Sequence, residues 1–201
     1  MITKDHINKA IDYTTYRNLI QQLFNEGKST GPVQNEKLLN FTGLNIHRMN
    51  RVEKTTVLND ELILQLKKIG KEQIWLVLTE GWCGDAAQQV PLFNCIEKLF
   101  SMVKLKLLLR DENVELMNGY LTNGNRSIPK LIILDAKSLT ELVQWGPQPQ
   151  EAVALINELK AAQKETPEIK EKLHLWYAKN NSKALQKELT QLLADIKVKQ
   201  A

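Results

Sequence analysis

The chain is poor in cysteine. Its 201 residues hold two, Cys83 and Cys95. If both lie on one helix, the twelve positions between them part their Cα atoms by ~18 Å. A disulfide needs Cα atoms within about 7 Å, so an internal bridge is excluded. Histidine is just as sparse: His6, His47 and His174 are scattered, and none pairs with a cysteine at a ligand spacing. The pattern calls for no metal site and no cofactor. No apolar run approaches the roughly 18 residues of a membrane span. Met1 to His6 lacks the apolar core of a signal peptide. With unpaired thiols, these features read as a cytosolic protein with no membrane partner. The 27 basic and 23 acidic residues are interspersed and leave a net charge of +4. No basic stripe forms, which argues against a nucleic-acid partner.

What is present is an ordinary globule, 43% hydrophobic and 25% charged. Its length suits one domain with extensions, enough to bury a core without staples. The most informative stretch is Trp82-Cys83-Gly84-Asp85-Ala86. An apolar run, Ile74 to Leu78, precedes it and reads as a buried strand. Val90, Phe93, Ile96 and Phe100 follow at helical spacing. Cys83 thus stands at a strand-to-helix turn, where a helix N-terminus offers partial positive charge and free N–H groups. Both stabilise a thiolate, the reactive form of cysteine. Asp85 and Glu80 act the other way, since negative charge beside a thiol raises its pKa. Asp85 also suits capping of a first helical turn. Cys95 reads as a small buried hydrophobe, so Cys83 is expected to alkylate faster.

The remaining pattern places helices at 14–27, capped by Thr14, and across Leu38 to Met49 as one or two short pieces. Asn59 or Asp60 caps another, which Gly70 closes. A strand at 73–79, the cysteine helix, a strand at 104–110 and a helix at about 112–121 follow. Then come strands at about 130–135 and 140–145 and a helix at 150–162. Thr166-Pro167 opens a further helix, Asn180-Asn181-Ser182 breaks it, and Leu185, Leu189, Leu192, Leu193 and Ile196 stripe a last one. The βαβ crossover implies a partly parallel sheet covered by helices. Gly27-Lys28-Ser29-Thr30 imitates the end of a P-loop, but Gln22 stands where that loop needs glycine. A helix C-cap and turn is the reading there.

These residues resemble thioredoxin. Trp82, Cys83 and Gly84 match its Trp-Cys-Gly-Pro-Cys motif, with Asp85 for the proline and Ala86 for the second cysteine. Pro91 matches a helix proline. Leu107 to Asp111 resembles the next strand. Arg126-Ser127-Ile128-Pro129 resembles the segment ending in a cis-proline, and Lys130 to Leu134 with Leu142 to Trp145 the closing hairpin. The resemblance covers roughly residues 58–162. It implies an α/β thioredoxin-like fold, a mixed sheet covered by helices, with helical extensions at 1–57 and 163–201.

The resemblance also implies a site. Cys83 would be the nucleophile, with Asp85 beside it. Pro129 would face Cys83, and Ile128 would offer backbone groups to a client strand. Trp82 and Gly84 would line the thiol, and Arg126 would offset Asp85 or bind a small anionic thiol. Arg48 and Arg51 read as solvated surface. Val77 stands where the family carries a buried acid, and Ala86 leaves no resolving thiol. The chemistry expected is therefore monothiol exchange, with client proteins or small-molecule thiols as partners. A redox-inert, protein-binding module is the alternative. Thiol-dependent peroxide reduction ranks third, since Arg126 is its sole activating cation.

Overall fold

The computed structural model describes residues 2–200. The chain opens with helices α1 (Lys4–Lys9), α2 (Tyr13–Asn25), α3 (Glu36–Thr55) and α4 (Asp60–Leu66). Strand β1 (Gln73–Thr79) leads into α5 (Gly84–Leu99). β2 (Val103–Leu109), a 3-10 turn (Arg110–Glu112), α6 (Val114–Asn118), β3 (Lys130–Asp135) and β4 (Glu141–Trp145) follow. The chain continues through α7 (Gln150–Ala161), α8 (Thr166–Asn180) and α9 (Lys183–Gln200). The sheet order is β2-β1-β3-β4. β1 and β2 are parallel, while β3 runs antiparallel to β1 and β4. Ile11 adds a short antiparallel bridge to Leu107 at the β2 edge.

Every residue of β1 is buried, because α5 and the flanking helices cover it on both faces. α5 itself is buried almost all round from Ala86 to Phe93, with the sheet on one side and α3 on the other. A helix so enclosed needs no polar face there. Trp75, Phe93 and Trp145 pack edge to face, at 6.0 and 6.3 Å between ring centroids. The main core also takes Tyr16 and Ile20 from α2, Met49 from α3, and Leu185, Leu189, Leu193 and Ile196 from α9. Both extensions therefore share the core of the sheet.

Some boundaries differ from the sequence expectation. The first long helix is capped by Asp12, not Thr14: the Asp12 carboxylate accepts the Thr15 N–H at 2.7 Å. The one or two short helices expected across Leu38 to Met49 are a single helix of 20 residues. Gly43 lies within it, where the Phe24 ring sits 2.8 Å from where a Cβ would stand. The helix expected at about 112–121 is a 3-10 turn and a five-residue helix. They are parted by Asn113, whose amide donates to the Leu109 carbonyl. Among the described residues no helix is long and apolar enough to cross a membrane.

Candidate functional site

Cys83 is the N-cap of α5. Its sulfur accepts the Ala86 N–H at 3.5 Å, and the thiol donates to the Ile128 carbonyl at 3.2 Å. The Ile128–Pro129 peptide bond is cis, and both residues are buried. Behind them, β4 exits through Gly146, where a Cβ would stand 2.3 Å from the Pro129 carbonyl oxygen. Only glycine allows that approach, which also has φ +114°.

Cys83 is 8% exposed. Burial pushes its thiol up to about 12, and the charge of Asp85 adds to this. The Ala86 and Asp85 N–H groups and Arg110 pull the other way without prevailing. Cys95, expected to be the buried one, is only partly buried against the main core, near the far end of α5. The order of burial is thus the reverse of the one expected, because α5 turns Cys83 inward under cover. Both thiols are free.

Asp85 is held by residues of the C-terminal region. Tyr177 of α8 donates to its Oδ1 at 2.8 Å, and Gln148 donates to its Oδ2 at 2.9 Å. Gln89 donates to the Tyr177 hydroxyl oxygen at 2.8 Å and to the Pro147 carbonyl at 3.1 Å. Burial raises Asp85 to about 6, although Tyr177, Gln148 and the nearby Arg48 all favour its charged form. Arg48 and Arg51, read as solvated surface, are brought here by α3. Arg48 hydrogen-bonds Asn45 and approaches Gly84, while Arg51 donates to Gln88 at 2.5 Å. Asn45 in turn donates to the Gly81 carbonyl at 2.9 Å. The N-terminal extension therefore reaches the site.

Trp82 is half-buried beside the thiol, with the Arg110 guanidinium 4.7 Å from its ring centroid. Arg110 is also paired with Asp111 at 2.8 Å. Arg126, expected beside the sulfur, is exposed and donates to Asn118 at 2.8 Å. The cation near the sulfur is Arg110, because β2 ends against Trp82 while the 122–126 loop turns outward.

Glu80 has a larger part than its charge suggested. It is fully buried at the end of β1, where it accepts from Thr30 and from the Asp111 N–H at 2.9 Å. Burial raises it to about 7. Thr30 Oγ1 also accepts the Gly81 N–H at 2.9 Å. The turn that imitates a P-loop is a helix end and turn, with Gly27 at φ +71°; its structural work is to bring Thr30 to Glu80. The one signal in sequence was an acid directly after an unbroken buried strand. His174, Tyr177 and Gln148 had none, since their partners lie far away along the chain. Among the described residues no group of three or more His, Cys, Asp or Glu is placed to hold a metal ion.

A sheet of this order, with a cysteine opening the helix after β1 and a proline opening β3 beside it, defines a thioredoxin fold. A family model described as Thioredoxin matches residues 31–166, and the chain belongs to that family. A structure of a protein of unknown function from Pseudomonas aeruginosa is similar, with a TM-score of 0.63 and 16% identity over 98% of each chain. An HIV epitope-scaffold has a TM-score of 0.57 and 17% identity, covering 93% of this chain and 98% of its own. At these identities the likeness is one of fold, and it extends over both helical extensions. No curated protein matches the sequence.

Proposed function

We propose that the chain is a monothiol thiol–disulfide exchange protein with Cys83 as its nucleophile, acting on client proteins or small-molecule thiols in the cytosol. The observation that supports this best is the position of the sulfur. It lies at the start of α5, 3.2 Å from the Ile128 carbonyl and next to Pro129. Trp82 and Gly84 border it, and Ile128 with Pro129 forms the platform for an extended client.

In the first step Cys83 loses its proton to solvent and its thiolate attacks one sulfur of a client disulfide. A Cys83–client S–S bond forms, the client S–S bond breaks, and the departing thiolate takes up a proton. Ala86 supplies no second thiol, so release requires an outside one. A small-molecule thiolate attacks the mixed disulfide, restores Cys83 and leaves a client–small-molecule disulfide. A second such thiol completes the reduction, so the electrons come from two small-molecule thiols. Asp85 sets the charge beside the sulfur throughout.

The burial of Cys83 favours a second reading, a redox-inert binding module that keeps the fold without exchange. The two separate in one experiment. The protein is incubated with an aromatic disulfide reagent and adducts are located by peptide mass spectrometry. Exchange predicts an adduct on Cys83 that a small-molecule thiol removes and that Cys83→Ser lacks. Adducts confined to Cys95 would support the inert module.

A further inference from the structure

α8 is anchored differently from its neighbours. α9 packs Leu185, Leu189 and Leu193 into the main core. α8 buries Leu173 and Tyr177 in a separate small cluster with Ala152 of α7, joined by Ile156 and Trp176. Each end of α8 is a turn through left-handed backbone at residues other than glycine. Gln163 (φ 54°) lies before it, and Asn181 (φ 48°) and Ser182 (φ 63°) lie after it. Elements with few buried apolar contacts open at low free energy, and a few terminal residues suffice as hinges.

The inner face of α8 rests on the first turn of α5. The His174 ring occupies the space where a side chain at Gly84 would begin: a Cβ there would lie 2.7 Å from His174 Cε1 and 2.9 Å from Nε2. Tyr177 holds Asp85, and Gln88 meets His174 Nδ1 at 3.4 Å. The two residues after Cys83 are thus half-buried with α8 against them, and its polar contacts to Asp85 and Gln88 are ones that water can replace.

We propose that α8 is a gate over the Cys83 site. Seated, it keeps the sulfur and the first turn of α5 covered. Swung away on the turns at Gln163 and Asn181–Ser182, it opens Cys83, Gly84 and Asp85 to a client. The gate regulates the exchange site proposed above and rests on that reading for its purpose, but its opening is measurable without exchange.

The test is the rate at which iodoacetamide modifies Cys83 in the full-length protein, with Cys95 as internal reference. Gly84→Ala adds a Cβ into the place of His174 and removes no hydrogen-bonding group. Tyr177→Phe removes the hydroxyl that holds Asp85. Tyr177→Phe is expected to raise the Cys83 rate about fivefold, the effect of losing one ordinary hydrogen bond from the closed state, and Gly84→Ala to raise it by displacing the His174 ring, with Cys95 unchanged in both. In a His174→Ala background, Gly84→Ala should add nothing further. An unchanged Cys83 rate in both single variants, an equal rise at Cys95, or additive effects in the double variant would each overturn the gate. The disulfide reagent then separates the two readings. A fast-alkylating variant that forms no Cys83 adduct keeps the gate and removes exchange. Wild type forming adducts as fast as the variants removes the gate and keeps exchange.

Discussion

Tyr177 donates its hydroxyl hydrogen to Asp85 at 2.8 Å, although 92 positions separate them in the chain. Asp85 stands where thioredoxin has the proline of its motif, and α8 reaches across to hold it. The acid therefore serves two ends. It lies in the first turn of α5, which Cys83 caps and where negative charge is stabilised, and it holds Tyr177 of the C-terminal extension. The same charge raises the thiol pKa.

Removing that charge is expected to lower the pKa of Cys83. Asp85→Asn keeps an oxygen for Tyr177 and removes the second cause of the raised value. Thiolate absorbance in the ultraviolet, followed against pH, should show the titration moving to lower pH. An unchanged titration would mean that burial alone sets it.

Alkylation of the resting protein should follow exposure. Cys95 is partly buried with its thiol also raised by burial, whereas Cys83 is buried with its thiol pushed up to about 12. Iodoacetamide near neutral pH is expected to label Cys95 first and Cys83 slowly. Peptide mass spectrometry over time gives the order. Equal rates would contradict the covered site.

Stability is expected to fall as pH rises. Burial holds Glu80 at about 7 and Asp85 at about 6 in the folded protein. Unfolded carboxyls ionise near pH 4, so through this interval the unfolded chain loses protons first. The contribution is full below the unfolded pKa and is lost as pH passes the folded values. Urea unfolding should show wild type weaker at pH 8 than at pH 5, by on the order of 2 kcal/mol from Glu80. Glu80→Gln keeps an oxygen and offers an amide to Thr30, and should flatten much of the slope. A slope unchanged by Glu80→Gln would remove Glu80 as its source.

Turnover should depend on an outside thiol. With a thioredoxin reductase as sole electron source, insulin reduction is expected to be negligible. A small-molecule thiol should restore slow activity, and Cys83→Ser should abolish it. Ala86→Cys puts a second sulfur one turn along α5, where Cβ atoms lie about 5–6 Å apart, and should add reductase-driven activity. Efficient reductase-driven turnover by wild type would contradict the monothiol mechanism.

The shared core makes a prediction of its own. Leu189 of α9 is fully buried against the sheet core. Leu189→Ala should cost about 3 kcal/mol in chemical unfolding, with one transition for the whole chain. A separate early transition would show that α9 unfolds apart from the sheet.

Elements governed by local chemistry were legible. β1 spans Gln73–Thr79 as read, because an unbroken apolar run flanked by turn residues has few other solutions. The Asn180-Asn181-Ser182 break falls between α8 and α9, where two residues take left-handed backbone. The order of strands and helices and the thioredoxin fold followed from such signals. Helix ends were less secure. Asp12 and Thr14 are both fit caps, and only the fold chooses between them.

The surroundings of Cys83 were decided by tertiary structure. The motif told of a sulfur at a helix start, which favours a thiolate, and of neighbouring acids, which oppose it. Neither told of cover. The thiol is buried against the Ile128 carbonyl, α8 meets the next two residues through His174 and Tyr177, and the protonation of Cys83 follows burial first. Arg48 and Thr30 became part of the site in the same way, through contacts spanning dozens of residues. Sequence determined which groups the chain carries and which elements they begin or end, because backbone propensity and apolar periodicity are local. Only packing decided which of those groups meet at the sulfur, because desolvation and charge act through space.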